Sequence, residues 1–214
     1  MFKDIKLVIY DLDGVLIDSS EGIRKTFERS LKELGADYHG TDIKEMIGLP
    51  LEDIYFEVFQ KDEDMVKRGA EIFRREYATL SLENTVVIEG VTDALESIRE
   101  AGFMQSVATN KASYLATKLL SHLGIAEYFE IIIGALDVPR PKPAPDMINL
   151  TLENLSVGKY EAVFVDDTVT GLSAGVEAGV RTVGITTGPH SREMLEIVDP
   201  DIIIGNLSEL VSII

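Results

Sequence analysis

The chain has 214 residues, 45% of them hydrophobic and 27% charged, and 37 Asp and Glu against 20 Lys and Arg give it a formal net charge of −17. That size suits one buried core, or a core with a smaller satellite, and the charge argues against nonspecific binding to nucleic acid or an anionic membrane. Without cysteine there are no disulfides, thiolate nucleophiles or thiolate metal sites, and His39, His122 and His190 are too scattered for zinc.

Met1-Phe2-Lys3-Asp4 leads straight into a strand with no signal peptide, and no apolar run reaches the ~18 residues of a bilayer span, so a cytoplasmic location is expected. Leu7-Val8-Ile9-Tyr10 is a continuous apolar run, which suits a strand covered on both faces, as in a parallel sheet. It stops at Asp11-Leu12-Asp13-Gly14, so two carboxylates are delivered into a turn at the carboxyl end of that strand. Open α/β sheets collect their chemistry at that edge. Asp is also a favoured turn and cap residue, so the pair taken alone leaves both readings open.

From Asp18 to about Leu80 every periodic segment is helical. Ile23, Phe27, Leu31 and Leu34 form one stripe, with Asp18, Ser19 or Ser20 to open the helix and Gly35 to close it. Thr41 or Asp42 opens a short second helix ending at Gly48, and Pro50 suits the first turn of a third carrying Leu51, Ile54, Val58 and Phe59. A fourth is expected from about Asp62 to Tyr77. From Gly90 onward helices and strands alternate. Strands are expected at Met104 to Ala108, Glu130 to Ile133, Ala162 to Val165, Thr182 to Ile185 and Ile202 to Ile204. The alternation predicts a doubly wound parallel α/β sheet of Rossmann type with right-handed crossovers. A discontinuous catalytic core, residues 1–16 and 86–214, is expected around an all-helical insertion at 17–85.

Polar residues then gather at the carboxyl ends of the strands: Asp11 and Asp13, Thr109-Asn110, and Asp166-Asp167. Lys142 follows another strand on Pro139-Arg140-Pro141-Lys142-Pro143, a loop stiffened by three prolines. Each piece has a plainer reading as a helix cap or a solvated lysine, but their joint placement at one sheet edge suits phosphoryl transfer. Crowded carboxylates call for a cation, and all-oxygen ligands favour Mg²⁺. One carboxylate is then available as a nucleophile on phosphorus and another as general acid and base.

Over nearly its whole length the chain resembles the haloacid dehalogenase superfamily of phosphatases. Asp11-Leu12-Asp13-Gly14-Val15-Leu16 resembles the first motif of that family, which implies Asp11 as nucleophile and Asp13 as acid/base. Val107-Ala108-Thr109-Asn110 resembles the second, with Thr109 and Asn110 binding phosphate, and Lys142 resembles the third, steadying nucleophile and phosphate charge. Phe164-Val165-Asp166-Asp167-Thr168 with Gly171 resembles the acidic-pair form of the fourth, in which Asp166 stands where many members have Gly and Gly171 where they have a later Asp. The resemblance implies a Mg²⁺ site made by Asp11, the backbone carbonyl of Asp13, Asp167 and Asp166. It also implies a small helical cap, in which Gly48-Leu49-Pro50 is the loop expected to touch substrate.

Within the superfamily the motifs lean toward phosphoglycolate phosphatases and pyrophosphatases, so the expected partner is a small phosphorylated metabolite and the expected assembly a monomer or homodimer. A β-phosphoglucomutase-like phosphotransferase shares the acidic pair, but Ser19-Ser20-Glu21-Gly22 lacks the His of such mutases. A dehalogenase would lack the second Asp, here Asp13. A receiver-like phosphoacceptor module would be shorter, uncapped and differently ordered. A catalytically silent binding protein would have no need of the intact set.

Overall fold

The structure, a computed structural model, describes residues 2–36, 51–59 and 62–214. The expected second helix and the Gly48-Leu49-Pro50 loop lie outside the described residues. The chain divides into two compact units, one made of Met1–Asp18 and Val87–Ile214 and the other of Ser19–Val86. Among the described residues no helix is long and apolar enough to cross a membrane.

The first unit is built on a six-stranded sheet, β1 (Leu7–Tyr10), β4 (Met104–Thr109), β5 (Ile131–Gly134), β6 (Ala162–Asp166), β7 (Arg181–Ile185) and β8 (Ile202–Ile204), ordered β5-β4-β1-β6-β7-β8. Every pairing is parallel, with Leu7 opposite Met104 on one side and Ala162 on the other. Helices α4 (Val91–Glu100), α5 (Ser113–His122), α6 (Asp146–Leu155) and α7 (Val169–Ala178) alternate with the strands, and a short α8 (Arg192–Leu195) follows β7. The chain leaves and re-enters through the short strands β2 (Ile17–Asp18) and β3 (Val86–Val87).

All four residues of β1 are buried, as a central strand covered on both faces requires. Leu7 and Ile9 pack in one cluster with Ala108, Met147, Ile148 and Phe164. On the other side of the pleat the Tyr10 hydroxyl donates to Gln105 Oε1 at 2.8 Å, and Gln105 Nε2 donates to the Leu95 carbonyl at 3.0 Å. These polar groups are therefore satisfied inside the core. After β5 the chain crosses back to place β6 on the far side of β1. The switch point of the sheet thus falls between β1 and β6, where such folds open a crevice at the carboxyl ends of the strands.

The second unit holds α1 (Ser20–Leu34), α2 (Leu51–Phe59) and α3 (Glu63–Glu83). Gly35 ends α1 at φ 66°, its N–H donating to the Leu31 and Lys32 carbonyls, a left-handed cap that favours glycine. Helix α3 runs past the expected end at Tyr77 because Ala78 to Glu83 contains no breaker before Asn84. Aromatic rings fill the interior. Tyr55 meets Phe27 at 5.0 Å, Phe59 at 6.1 Å and Phe73 at 6.5 Å between centroids, and its hydroxyl shares a hydrogen bond with Ser30. Gly69 lets α3 approach, since a Cβ there would run into the Tyr55 ring. Among the described residues of this unit, charges pair toward the surface, as in Arg24 with Glu21 at 2.8 Å and Arg29 with Glu76 at 2.8 Å.

Candidate active site

Asp11 follows the last residue of β1, and its N–H donates to the Val165 carbonyl at 2.9 Å, so the carboxylate is fixed by the sheet itself. Asp166 is the last residue of β6, and Asp167 follows it. Both are fully buried or nearly so, and Asp11 is 8% exposed. One carboxylate oxygen from each of Asp11, Asp166 and Asp167 lies within 4.8 Å of the others. Lys142 enters the same space, its Nζ 2.7 Å from Asp11 Oδ1 and 2.8 Å from Asp166 Oδ2, beside the Phe164 ring at 5.4 Å. The sheet edge therefore brings together four of the expected residues that stand far apart in sequence.

Thr109 closes β4, almost fully buried, and its Oγ1 accepts the Lys111 N–H at 3.2 Å. The Asn110 side chain is turned to the backbone of Lys142, which leaves the expected phosphate contact of Asn110 to its own backbone. Its Oδ1 accepts the Lys142 N–H at 3.0 Å and its Nδ2 donates to the Lys142 carbonyl at 3.2 Å. It clamps both backbone polar groups of the lysine and so sets where the ammonium stands. Asp13 also differs from its neighbours. Its carboxylate lies outside the acidic cluster and pairs instead with Lys111 Nζ at 3.0 Å. The Asp13 side chain is thus not one of the clustered carboxylates.

The Asp166-Asp167-Thr168 turn serves both as a helix start and as part of the cluster. Thr168 caps α7, its Oγ1 accepting the Gly171 N–H at 3.0 Å, while Asp166 Oδ1 accepts the Thr168 N–H at 2.8 Å and hydroxyl at 2.7 Å. A Cβ on Gly171 would collide with the Asp166 carboxylate. The acidic-pair motif is thus a steric exchange, because the carboxylate of Asp166 fills the space beside position 171.

The loop after β7 completes the setting, and sequence reading passed over it. Gly188 packs so closely on Asp167 that a Cβ would strike its carboxylate, and Thr187 Oγ1 donates to the Gly14 carbonyl at 2.5 Å. Gly14, at φ 83°, also faces Asp167 where a Cβ could not fit. His190 Nδ1 accepts the Val169 N–H at the start of α7, at 3.1 Å. The available signal was Thr186-Thr187-Gly188-Pro189, a turn sequence at one more strand end of the same edge.

Electrostatics follow from this crowding. Burial pushes the Asp11 carboxyl up to about 6, helped by Asp166 and Asp13 and opposed by Lys142. Burial raises Asp167 well above the ordinary carboxylate range, with Asp166 and Asp11 adding to it. Burial pulls the Lys142 ammonium down, but Asp11 and Asp166 outweigh that and hold it above its usual value. One ammonium does not neutralise three buried carboxylates. Asp167 Oδ1 is buried with no hydrogen-bond partner, a loss of roughly 1–3 kcal/mol if nothing binds there. An orphaned carboxylate oxygen among hard oxygen donors fits Mg²⁺, and Asp11, Asp166 and Asp167 are the side chains that would hold it.

Comparison with known proteins places this edge in context. Residues 8–185 match the family model described as haloacid dehalogenase-like hydrolase. The chain is 32% identical to "Probable phosphatase IndB" of Dickeya dadantii, over 96% of this chain and 91% of that one. It is 30% identical to a phosphoglycolate phosphatase of Vibrio parahaemolyticus, over 99% and 97%. A haloacid dehalogenase-like family hydrolase from Streptococcus pneumoniae, 26% identical, superposes with a TM-score of 0.87 over 99% of each chain. With its motifs at the strand ends of one parallel sheet and the match running from β1 through β7, the chain belongs to the haloacid dehalogenase-like hydrolases.

Proposed function

We propose that this hydrolase is a Mg²⁺-dependent phosphatase that removes phosphate from a small phosphorylated metabolite of phosphoglycolate type. The observation that carries this reading is Lys142 bridging Asp11 and Asp166 beside the unpartnered Asp167 oxygen. The names of the Dickeya and Vibrio relatives support it.

When bound, Mg²⁺ would neutralise phosphate oxygens and the acidic cluster. Lys142 adds positive charge on the side of Asp11, and Thr109 offers a hydroxyl at the end of β4. Asp11 attacks phosphorus, so that an Asp11–phosphorus bond forms as the ester oxygen–phosphorus bond breaks. Asp13 gives its proton to the departing oxygen. The Asp13 carboxylate then takes a proton from water, whose oxygen attacks the aspartyl-phosphate, releasing inorganic phosphate and restoring Asp11. Asp11 suits the first role because the sheet and Lys142 fix it. Asp13 suits the second because its carboxylate stands apart from the acidic cluster.

Phosphate release from phosphoglycolate, nucleoside monophosphates, sugar phosphates, p-nitrophenyl phosphate and pyrophosphate, with Mg²⁺ or EDTA, tests the reading. Mg²⁺-dependent release with phosphoglycolate among the best substrates is expected. No release from any of them by folded protein overturns it. Interconversion of glucose phosphates without net release would mark a mutase, and preference for pyrophosphate a pyrophosphatase.

A further inference from the structure

The site contains two nearly buried lysines that face different groups. Lys142 serves Asp11 and Asp166, whereas Lys111, with 9% of its side chain exposed, pairs with Asp13 Oδ2 at 3.0 Å. Lys111 is held in place by its backbone. Its N–H donates to Thr109 Oγ1 at 3.2 Å, and its carbonyl accepts the Ala135 N–H at 3.3 Å. That carbonyl presses on Gly134, where a Cβ would clash with it and with the Ser113 nitrogen. The loop is therefore seated tightly against β5, and the ammonium is presented beside Asp13 from a rigid base.

Asp13 meets the ester oxygen in the reading proposed above, on which this inference rests. Whatever pairs with Asp13 accordingly stands on the leaving-group side of the phosphate, away from the nucleophile. An ammonium carries three donors and can bridge two anions at once. The geometry points to Lys111 as a specificity residue that takes a second anionic group of the substrate, a carboxylate or a second phosphate a few bonds beyond the ester oxygen. In the substrate-free protein the Asp13 carboxylate holds this ammonium, and a second anionic group that takes Lys111 frees Asp13 to carry the proton the leaving oxygen needs. A neutral leaving group offers Lys111 nothing, so the chain should favour phosphoesters with a second anionic group.

The test compares phosphoglycolate with ethyl phosphate, in wild type and in the Lys111→Met and Lys111→Arg variants. Wild type is expected to prefer phosphoglycolate. Lys111→Met should lower the ratio of the two kcat/KM values at least tenfold, mainly through KM for phosphoglycolate, and Lys111→Arg should restore part of it. Equal losses on both substrates would mean that Lys111 acts only on Asp13 and would overturn the inference, as would an unchanged ratio. Calorimetric titration of phosphoglycolate into Asp11→Asn, with and without Lys111→Met, reads the same contact without turnover and should show at least tenfold weaker binding in the double variant. An absence of phosphatase activity in wild type would sink the proposed function, while this binding comparison would still decide the role of Lys111. Hydrolysis without preference for the second anion would sink the inference and leave the phosphatase reading intact.

Discussion

The two units of the chain use charge in opposite ways. In the sheet unit, Asp11, Lys142, Asp166 and Asp167 are buried together at the ends of strands. In the helical unit, Arg24, Arg29 and Arg75 and their acidic partners lie on the surface, and the interior belongs to Phe27, Tyr55, Phe73 and Tyr77. Surface pairs contribute little because water screens them, whereas burying charge is expensive and is sustained only by close partners or a bound ion. The comparison teaches that position relative to water, more than residue type, separates charges that do chemistry from charges that only keep a helix soluble.

Substitutions in each unit, and metal at the sheet edge, break or sharpen this contrast. Asp11→Asn should lower phosphate release by about 10³-fold or more, while circular dichroism shows the fold retained. Near-normal turnover would break the covalent reading. Tyr55→Ala, in the helical unit, should cost about 3–5 kcal/mol in denaturant unfolding, because a ring that meets three others leaves a large cavity. A loss under 1 kcal/mol would deny that aromatic packing holds that unit.

Saturating Mg²⁺, at about a hundred times its Kd, should stabilise the protein by about 2.7 kcal/mol in thermal unfolding, and Asp167→Asn should remove most of that shift. The gain should shrink as pH falls through 6. The metal-free folded state holds a proton on Asp11 up to about 6, whereas an unfolded carboxyl releases it near 3.8. In EDTA this group therefore makes stability fall as pH rises from about 4 to about 6, and metal binding opposes that loss. A Mg²⁺ shift independent of pH would place the ion elsewhere.

Gly171→Ala should cost about 1–3 kcal/mol by forcing a methyl group onto the Asp166 carboxylate. The exchange Asp166→Gly with Gly171→Asp should recover activity beyond either single variant, since it returns a carboxylate to the same space from the helix side. The smallest effect belongs to Arg24→Ala, expected within about 0.5 kcal/mol despite contacts of 2.8 Å to Glu21 and 2.5 Å to Glu28.

The sheet was legible because its strands are short apolar runs ending in polar turns. Ile202–Ile204 has the expected bounds, and Met104–Thr109 and Ala162–Asp166 each run one residue further, into the functional side chain. Strands β2 and β3, two residues each, carry no periodic signal and went unread. At the site, Asp11, Lys142, Asp166 and Asp167 could be read from strand ends. The clamp of Asn110 on Lys142 and the closeness of Gly188 to Asp167 could not, because they depend on how two loops meet rather than on spacing along either.

The central position of β1 also shapes how the chain must come together. This strand is synthesised well before its neighbours Met104–Thr109 and Ala162–Asp166, both made after the whole of Ser19–Val86. The helical unit, whose contacts join residues nearer in sequence, can assemble early, while Leu7–Tyr10 remains an unpaired apolar strand until distant segments arrive. During that interval it is open to wrong pairing with other chains, so the strand that leads into Asp11 is one in need of protection at birth.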